Sequence, residues 1–418
     1  MGIGIATIVV VMVIVTIYFF LQKLSTINRE SYDNLQRLST QRDTMLNCNQ
    51  TDISEEQNCL RYSTLQTSQT NVNLSVDVKI KVAGIPTLSK REVERNRFAV
   101  GDKIGSGNFG TVHKGELKGL FDAHTTTTVA IKSINGKKLD EIEVENMISE
   151  IKIMSNLSPH LNIVSMIASC SSEFAENEKL WLLLEFCQHG DLKQYLEINK
   201  TEIISENSTS SINQRCLIQW AYDVASGMEF LASNQIMHGD LAARNILMDE
   251  NPIQGRHPVA KVADFGLSKK FNDYLIYEKE ARLLVPWRWM AIEYLNDNYF
   301  TLTSDVWSFG VLFWEIFSFG KTPYGHQGYD EVVEKLQTKY RLVCPKEIKE
   351  ASSWSPEEIY IKISSACFIA DPKVRSTFGE IVKILRNELS QEEFLCYTQM
   401  KDTYLSTRTA NYLKRNRN

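Results

Sequence analysis

The chain has 418 residues, 43% of them hydrophobic and 23% charged, a composition that excludes a wholly disordered protein and a length that exceeds one small core. Its net charge of −5 gives no global electrostatic reason to expect nucleic acid as a partner. Eight cysteines are scattered without a CxxC pair, which argues against zinc and against a disulfide framework and for reduced thiols, with Cys48 and Cys59 able to pair only if their segment lay outside the cell.

From the N-terminus, Ile3 to Leu21 is uncharged and almost wholly apolar. As a helix it spans about 28 Å, close to the hydrocarbon thickness of a bilayer. Tyr18, Phe19 and Phe20 then sit at the level of an interfacial aromatic belt. A cleaved signal peptide would need a basic leader and a small-residue cleavage site, and neither is present. Ala6 stands where a myristoylation signal after Gly2 wants Ser or Thr, so lipidation is a poor reading. Lys23, Arg29, Arg37 and Arg42 follow the apolar run with no basic side chain before it, which orients everything after Leu21 into the cytosol. The expectation is a single-pass membrane protein, in the plasma membrane and in contact with membrane lipid, with a transmembrane helix over residues 1–22 and almost no ectodomain. Gly2 and Ala6 offer the one small-residue contact for a homodimer within that helix.

Residues 23–96 are polar and read as a juxtamembrane linker. Within it Val76, Val78, Ile80 and Val82 alternate and predict a short strand. Glycosylation tripeptides at Asn49, Asn73, Asn199 and Asn207 are read as chance, since the last two lie deep inside the folded region.

Five short strings follow in order: IGSGNFGTV (Ile104 to Val112), VAIK (Val129 to Lys132), HGDLAARN (His238 to Asn245), DFG (Asp264 to Gly266) and VPWRWMAIE (Val285 to Glu293). Each alone is weak. The glycines 105, 107 and 110 lie between strands predicted over Phe98 to Ile104 and Thr111 to Glu116, where a bare backbone can approach a phosphate. A dinucleotide-binding turn would need a helix next, whereas Val112 and a β-type continuation follow here. Asp140 to Leu157 has helical spacing, with Val144, Ile151, Met154 and Leu157 on one face. Trp181 to Cys187 reads as a buried strand.

The five strings together resemble the protein kinases, and the LAARN and RWMA wording resembles the receptor-type protein tyrosine kinases. The EFC string at residues 185–187 and a short polar insert at residues 199–213 are similar to the platelet-derived and vascular endothelial growth factor receptor group. The resemblance covers residues 97–389. It implies an α+β, two-lobed kinase fold, with a β-rich N-lobe over 97–187 and a helical C-lobe over 188–389, followed by a C-terminal tail over 390–418. It implies ATP and Mg2+, with protein tyrosines as substrates.

By the same resemblance, Ile104, Gly105, Ser106, Gly107, Asn108, Phe109, Gly110, Thr111 and Val112 form the loop over the nucleotide. Lys132 reaches the α- and β-phosphates and pairs with Glu150, while Glu143 and Glu145 compete for that role. Leu184 is the gatekeeper, the Glu185 carbonyl and the Cys187 amide meet the adenine edge, and Ile104, Val112, Ala130 and Leu247 sandwich the ring. Asp240 takes the hydroxyl proton, Arg244 is the tyrosine-kinase member of the catalytic loop, and Asn245 and Asp264 hold Mg2+. Asp305 steadies the catalytic loop and Arg375 pairs with Glu293. Tyr277, with Tyr274 beside it, stands where receptor kinases carry an activation-loop tyrosine.

Departures from the family pattern are Gly239 for Arg, Trp287 for a smaller residue, Ile292 for Pro and Ser376 for Pro. None removes a phosphate, metal or proton-handling residue. Two readings stay open: an active kinase less dependent on loop phosphorylation, and a catalytically weak pseudokinase scaffold. Substrates are read as tyrosine rather than Ser/Thr from the two tyrosine-kinase strings. Tyr32 and Tyr397 resemble docking sequences for SH2-domain proteins, but such short strings are common by chance and the favoured reading is a plain surface tyrosine. Lys414, Arg415 and Arg417 read as a solvated tail.

Overall fold

The structure, a computed structural model, describes residues 91–107, 110–120, 122, 124–134, 141–174, 179–205, 212–270, 286–349 and 355–415. The apolar N-terminal stretch, the alternating segment around residues 72–82, Tyr32, Asn108, Phe109, Tyr274 and Tyr277 lie outside the described residues. Among the described residues, no helix is long and apolar enough to cross a membrane.

Five strands build the first lobe: β1 (Phe98–Gly107), β2 (Gly110–Lys118), β3 (Thr126–Ile134), β4 (Met166–Cys170) and β5 (Leu180–Glu185). They form one antiparallel sheet in the order β1-β2-β3-β5-β4. The two-residue period of a strand divides their side chains between two faces. Val129 and Ile131 of β3 join Trp181 and Leu183 of β5, with Phe98 and Leu117, in a small outer core. Ile134, Leu180 and Leu182 turn the other way and pack with helix α1 (Glu141–Asn156). The apolar residues of α1 recur at helical spacing, so Val144, Met147, Ile148, Ile151 and Met154 are all buried. Lys132 alternates with Ile131 and so shares the α1 face, paired in register with Val112 on one side and Leu182 on the other.

The second lobe is helical. It contains α2 (Leu192–Ile204), α3 (Arg215–Ser233), α4 (Ile292–Asp297), α5 (Ser304–Phe317), α6 (Tyr329–Gln337), α7 (Lys346–Lys349), α8 (Pro356–Cys367), α9 (Phe378–Glu388) and α10 (Gln391–Arg415). Helices α3 and α5 are buried along almost their whole length, as expected of helices with apolar residues all round. Helix α9 starts at a capping box, in which Thr377 Oγ1 accepts from the Glu380 amide and the Glu380 carboxylate accepts from the Thr377 amide. Between the lobes lies a hairpin of β7 (Ile246–Asp249) and β8 (Val259–Val262), and the two-residue strands β6 (Ile236–Met237) and β9 (Lys269–Lys270) pair beside it.

Two expectations change. Helix α2 runs through Asn199 to Ile204, so the first part of the polar insert is helical. The segment read only as a C-terminal tail forms helix α10, with Cys396, Tyr397 and Met400 buried against the core. Phe394 and Tyr397 pack edge-on against Tyr222 of α3.

Candidate active site

Strand β3 and helix α1 bring a lysine and a carboxylate together where the helix packs on the sheet. Lys132 Nζ donates to Glu150 Oε2 at 2.7 Å and to Asp264 Oδ1 at 2.8 Å. Glu150 is the partner among the three candidate glutamates because its turn of α1 faces the sheet, where it is buried. Its other oxygen accepts the Phe265 amide at 3.3 Å, tying α1 to the DFG string. Burial by itself would lower the Lys132 pKa, but the Glu150 and Asp264 charges outweigh it and hold the ammonium above its ordinary range. Burial likewise pushes Asp264 up, and Lys132 more than reverses that, leaving Asp264 ionised below the usual carboxylate range.

The HGDLAARN loop is fixed from below by buried groups. Asp305, at the start of α5, accepts the His238 amide at 2.7 Å and the Gly239 amide at 3.0 Å. Burial raises its pKa to about 7, against the pull of those two amides. His238 Nδ1 accepts the Asp240 amide at 3.2 Å and Nε2 donates to the Ala263 carbonyl at 3.0 Å. Burial lowers the imidazole to about 4, so it holds one neutral tautomer. Asp240 is ion-paired to Arg244, whose guanidinium lies 4.3 Å from the Trp289 ring centroid. Burial lifts the Asp240 carboxyl to about 6, with Arg244 and Asn245 opposing.

Asn245 Nδ2 donates to the Asp240 carbonyl at 2.7 Å, which leaves its Oδ1 as the atom for a cation. With the ionised Asp264 across the cleft, the donor set is oxygen from an amide and a carboxylate, the hard ligands that Mg2+ takes. Residues present therefore fit the metal.

Gly239 stands where the family has arginine. Its φ is +79°, and a Cβ there would stand 3.0 Å from the Leu267 carbonyl oxygen, so an L side chain would be strained. At the other end of the cleft Gly107 and Gly110 pair across the hairpin that joins β1 to β2. Gly110 has φ +129° and a Cβ there would meet the Ser133 carbonyl at 2.4 Å, so only glycine lets the hairpin fold down on β3.

Residues 98–385 match the family profile of the protein tyrosine and serine/threonine kinases. The chain belongs to the protein tyrosine and serine/threonine kinase family. Over 313 residues the kinase is 34% identical to the tyrosine kinase receptor Cad96Ca of Drosophila melanogaster, covering 74% of this chain and 38% of that protein. It is also 34% identical to a fibroblast growth factor receptor of Strongylocentrotus purpuratus, over 73% of this chain and 30% of the relative. The vascular endothelial growth factor receptor 3 of Coturnix coturnix is 32% identical, over 76% of this chain and 26% of the relative. The kinase thus spans well under half the length of these receptors.

Other residues singled out by the sequence are placed as follows. Leu184 and Leu247 pack against Val164, Cys187 and Ala263, and Leu184 pairs in register with Ala130. Val112 and Thr111 are half-buried, while Ile104 is 50% exposed and stands clear of the others. Gly105 and Ser106 pair with Val112 and Thr111. The Arg375 guanidinium meets Glu293 in two bonds of 2.7 Å, the buried bidentate pair expected from the sequence. Ile292, where the family has Pro, is the first residue of α4 and is buried in the main core.

Sequence reasoning missed Glu315. Its Oε2 accepts both the Ala243 amide at 2.9 Å and Trp289 Nε1 at 2.8 Å, joining the catalytic loop to the string before α4. A lone acid in the otherwise apolar end of α5 was the available signal. Tyr397, expected at the surface under either reading, is 4% exposed. Burial raises the pKa of its hydroxyl far above the ordinary range.

Proposed function

We propose that the protein is a membrane-anchored, receptor-type protein tyrosine kinase that transfers the γ-phosphoryl group of ATP to tyrosine hydroxyls of proteins. The observation that carries this reading is the bridge of Lys132 to both Glu150 and Asp264, made while Asp240 and Asn245 stand together on the catalytic loop. Lys132 supplies fixed positive charge where phosphate oxygens sit, and Glu150 prevents it from swinging away. Asp240 accepts a hydrogen bond from the incoming phenol, orients its oxygen in line with the γ-phosphorus and takes its proton as the O–P bond forms and the bond to the β-phosphate bridging oxygen breaks. Arg244 holds the Asp240 carboxylate, and the Trp289 ring holds Arg244. Asn245 and Asp264 are the residues that would hold Mg2+, which would supply positive charge to offset that of the phosphates.

Tyrosine as the acceptor is supported by Arg244, four residues beyond Asp240, and by the aromatic platform of Trp287 and Trp289. Trp287 packs edge-on to Tyr329 at 5.5 Å, with Arg288 4.1 Å above its ring. Membrane anchoring rests on Ile3 to Leu21 and their flanking charges. Transient homodimers follow from phosphorylation between copies, and SH2-domain recruitment is assigned to Tyr32. Phosphoamino-acid analysis of the autophosphorylated chain tests the acceptor. Phosphotyrosine alone supports the reading, and phosphoserine or phosphothreonine as the main product overturns it.

A further inference from the structure

Helix α10 crosses the back of the cleft. Its first turn is clamped to α3 by Arg215, whose Nε and Nη2 meet the Glu393 carboxylate at 3.1 and 2.8 Å. Two tyrosines further along reach the linker His160–Ser165 between α1 and β4. The Tyr397 hydroxyl donates to Asn162 Oδ1 at 2.8 Å and, its proton so used, accepts from Ser226 Oγ at 2.8 Å. Asn162 in turn donates its Nδ2 to the Ala260 carbonyl at 3.1 Å, and its own carbonyl accepts the Val262 amide at 2.9 Å. Val262 ends β8, two residues before Asp264.

The second tyrosine acts on the hinge. The Tyr404 hydroxyl lies 2.9 Å from Ser165 Oγ. Ser165 is locked to Glu185 in both directions: its amide donates to Glu185 Oε1 at 2.8 Å, and its carbonyl accepts the Glu185 amide at 3.0 Å. Buried Lys261 completes the cluster, 3.2 Å from Glu185 Oε1, 2.9 Å from Asp249 Oδ2 and 4.9 Å from the Tyr404 ring centroid. Glu185 is the last residue of β5, where the chain passes between the lobes. One helix from the C-terminal segment thus holds, from behind, the strand end before Asp264 and the strand end at the hinge.

We propose that Tyr397 and Tyr404 are positioning residues for nucleotide binding, so that docked α10 pre-sets the hinge and the DFG strand in the geometry that accepts ATP. Neither tyrosine touches the cleft. Each acts through a polar group, buried Asn162 or half-buried Ser165, whose alternative is to lose that partner. A hinge already in place costs no ordering when the nucleotide arrives, and one released from its brace does. The proposal rests on reading the cleft as a nucleotide site and does not require turnover.

The test uses the full chain with Tyr397→Phe, Tyr404→Phe and Ser165→Ala, and Ser406→Ala as a control on the exposed side of α10. Affinity for a fluorescent ADP analogue with Mg2+ is measured by titration, beside the KM for ATP and thermal stability. Each Tyr→Phe change is expected to weaken nucleotide binding roughly three- to tenfold, the size of one lost hydrogen bond. The effect should fall on KM rather than on kcat. Tyr404→Phe and Ser165→Ala should not add, because they delete one bond from its two ends. Unchanged nucleotide affinity, whether or not stability falls, overturns the proposal and leaves α10 a structural element alone. If the wild type transfers no phosphate but the titrations shift as stated, this inference stands and the tyrosine kinase reading fails.

Discussion

At the scale of single residues, the buried acids separate positioning from chemistry. Glu315 accepts two donors on one oxygen, so Glu315→Gln keeps an acceptor in place and should retain most activity. Glu315→Ala leaves the Ala243 amide and the Trp289 indole unpaired, each costing about 1–3 kcal/mol. Melting curves should show that variant several degrees less stable, with slower turnover because the catalytic loop loses its floor. Asp223 makes a pH prediction. Burial raises its pKa from 3.8 to about 7, opposed by Gln219 and the Ala260 amide. A carboxyl with a raised folded-state pKa binds its proton more tightly folded than unfolded. Its contribution is therefore full below about pH 4 and is lost as the pH rises toward 7. Asp223→Asn should be more stable relative to wild type at pH 8 than at pH 4, and a constant difference between the melting temperatures would refute this. Gly239→Arg, at a left-handed position against the Leu267 carbonyl, should cost about 1–2 kcal/mol; an undiminished melting temperature would mean the loop relaxes freely.

At the scale of elements, the pairing of Lys132 with Glu150 depends on the phase of α1 against β3. The periodic pattern predicted a helix over Asp140 to Leu157, and the structure has Glu141–Asn156. The strands on either side of the glycine loop were legible too, though each runs longer than its pattern, since β1 and β2 pair up to Gly107 and Gly110. These elements were readable because local periodicity and motif chemistry agree. What stayed hidden was α10. Its helical period is diluted by polar residues, and its meaning lies in bonds such as Tyr404 to Ser165, 239 positions apart in sequence. Glu315 was obscured for the same reason, because its partners come from two other segments. Tyr397 was misplaced because a short docking-like string carries no information about burial. With α10 docked, phosphorylation of Tyr397 is expected to be undetectable by mass spectrometry of the folded chain, and to appear only in variants that release the helix, such as Glu393→Ala.

At the scale of the whole molecule, the two lobes meet at the β7–β8 hairpin and the hinge, where Lys132, Glu150 and Asp264 are joined and Asp240, Arg244 and Asn245 are held together. Lys132 is engaged, Asp264 is ionised, and Asp240 is held by Arg244 without a cationic side chain at position 239. That combination is what supports the proposed enzyme over a scaffold. The measurement that bears most directly on it is phosphate transfer from ATP and Mg2+ to a Glu/Tyr copolymer by the purified full chain, beside Asp240→Asn. Transfer by the wild type, reduced about 10²–10⁴-fold in the variant whose proton acceptor is gone, is the expected result. Equal rates in the two proteins, or no transfer by a wild type that binds nucleotide, would contradict it.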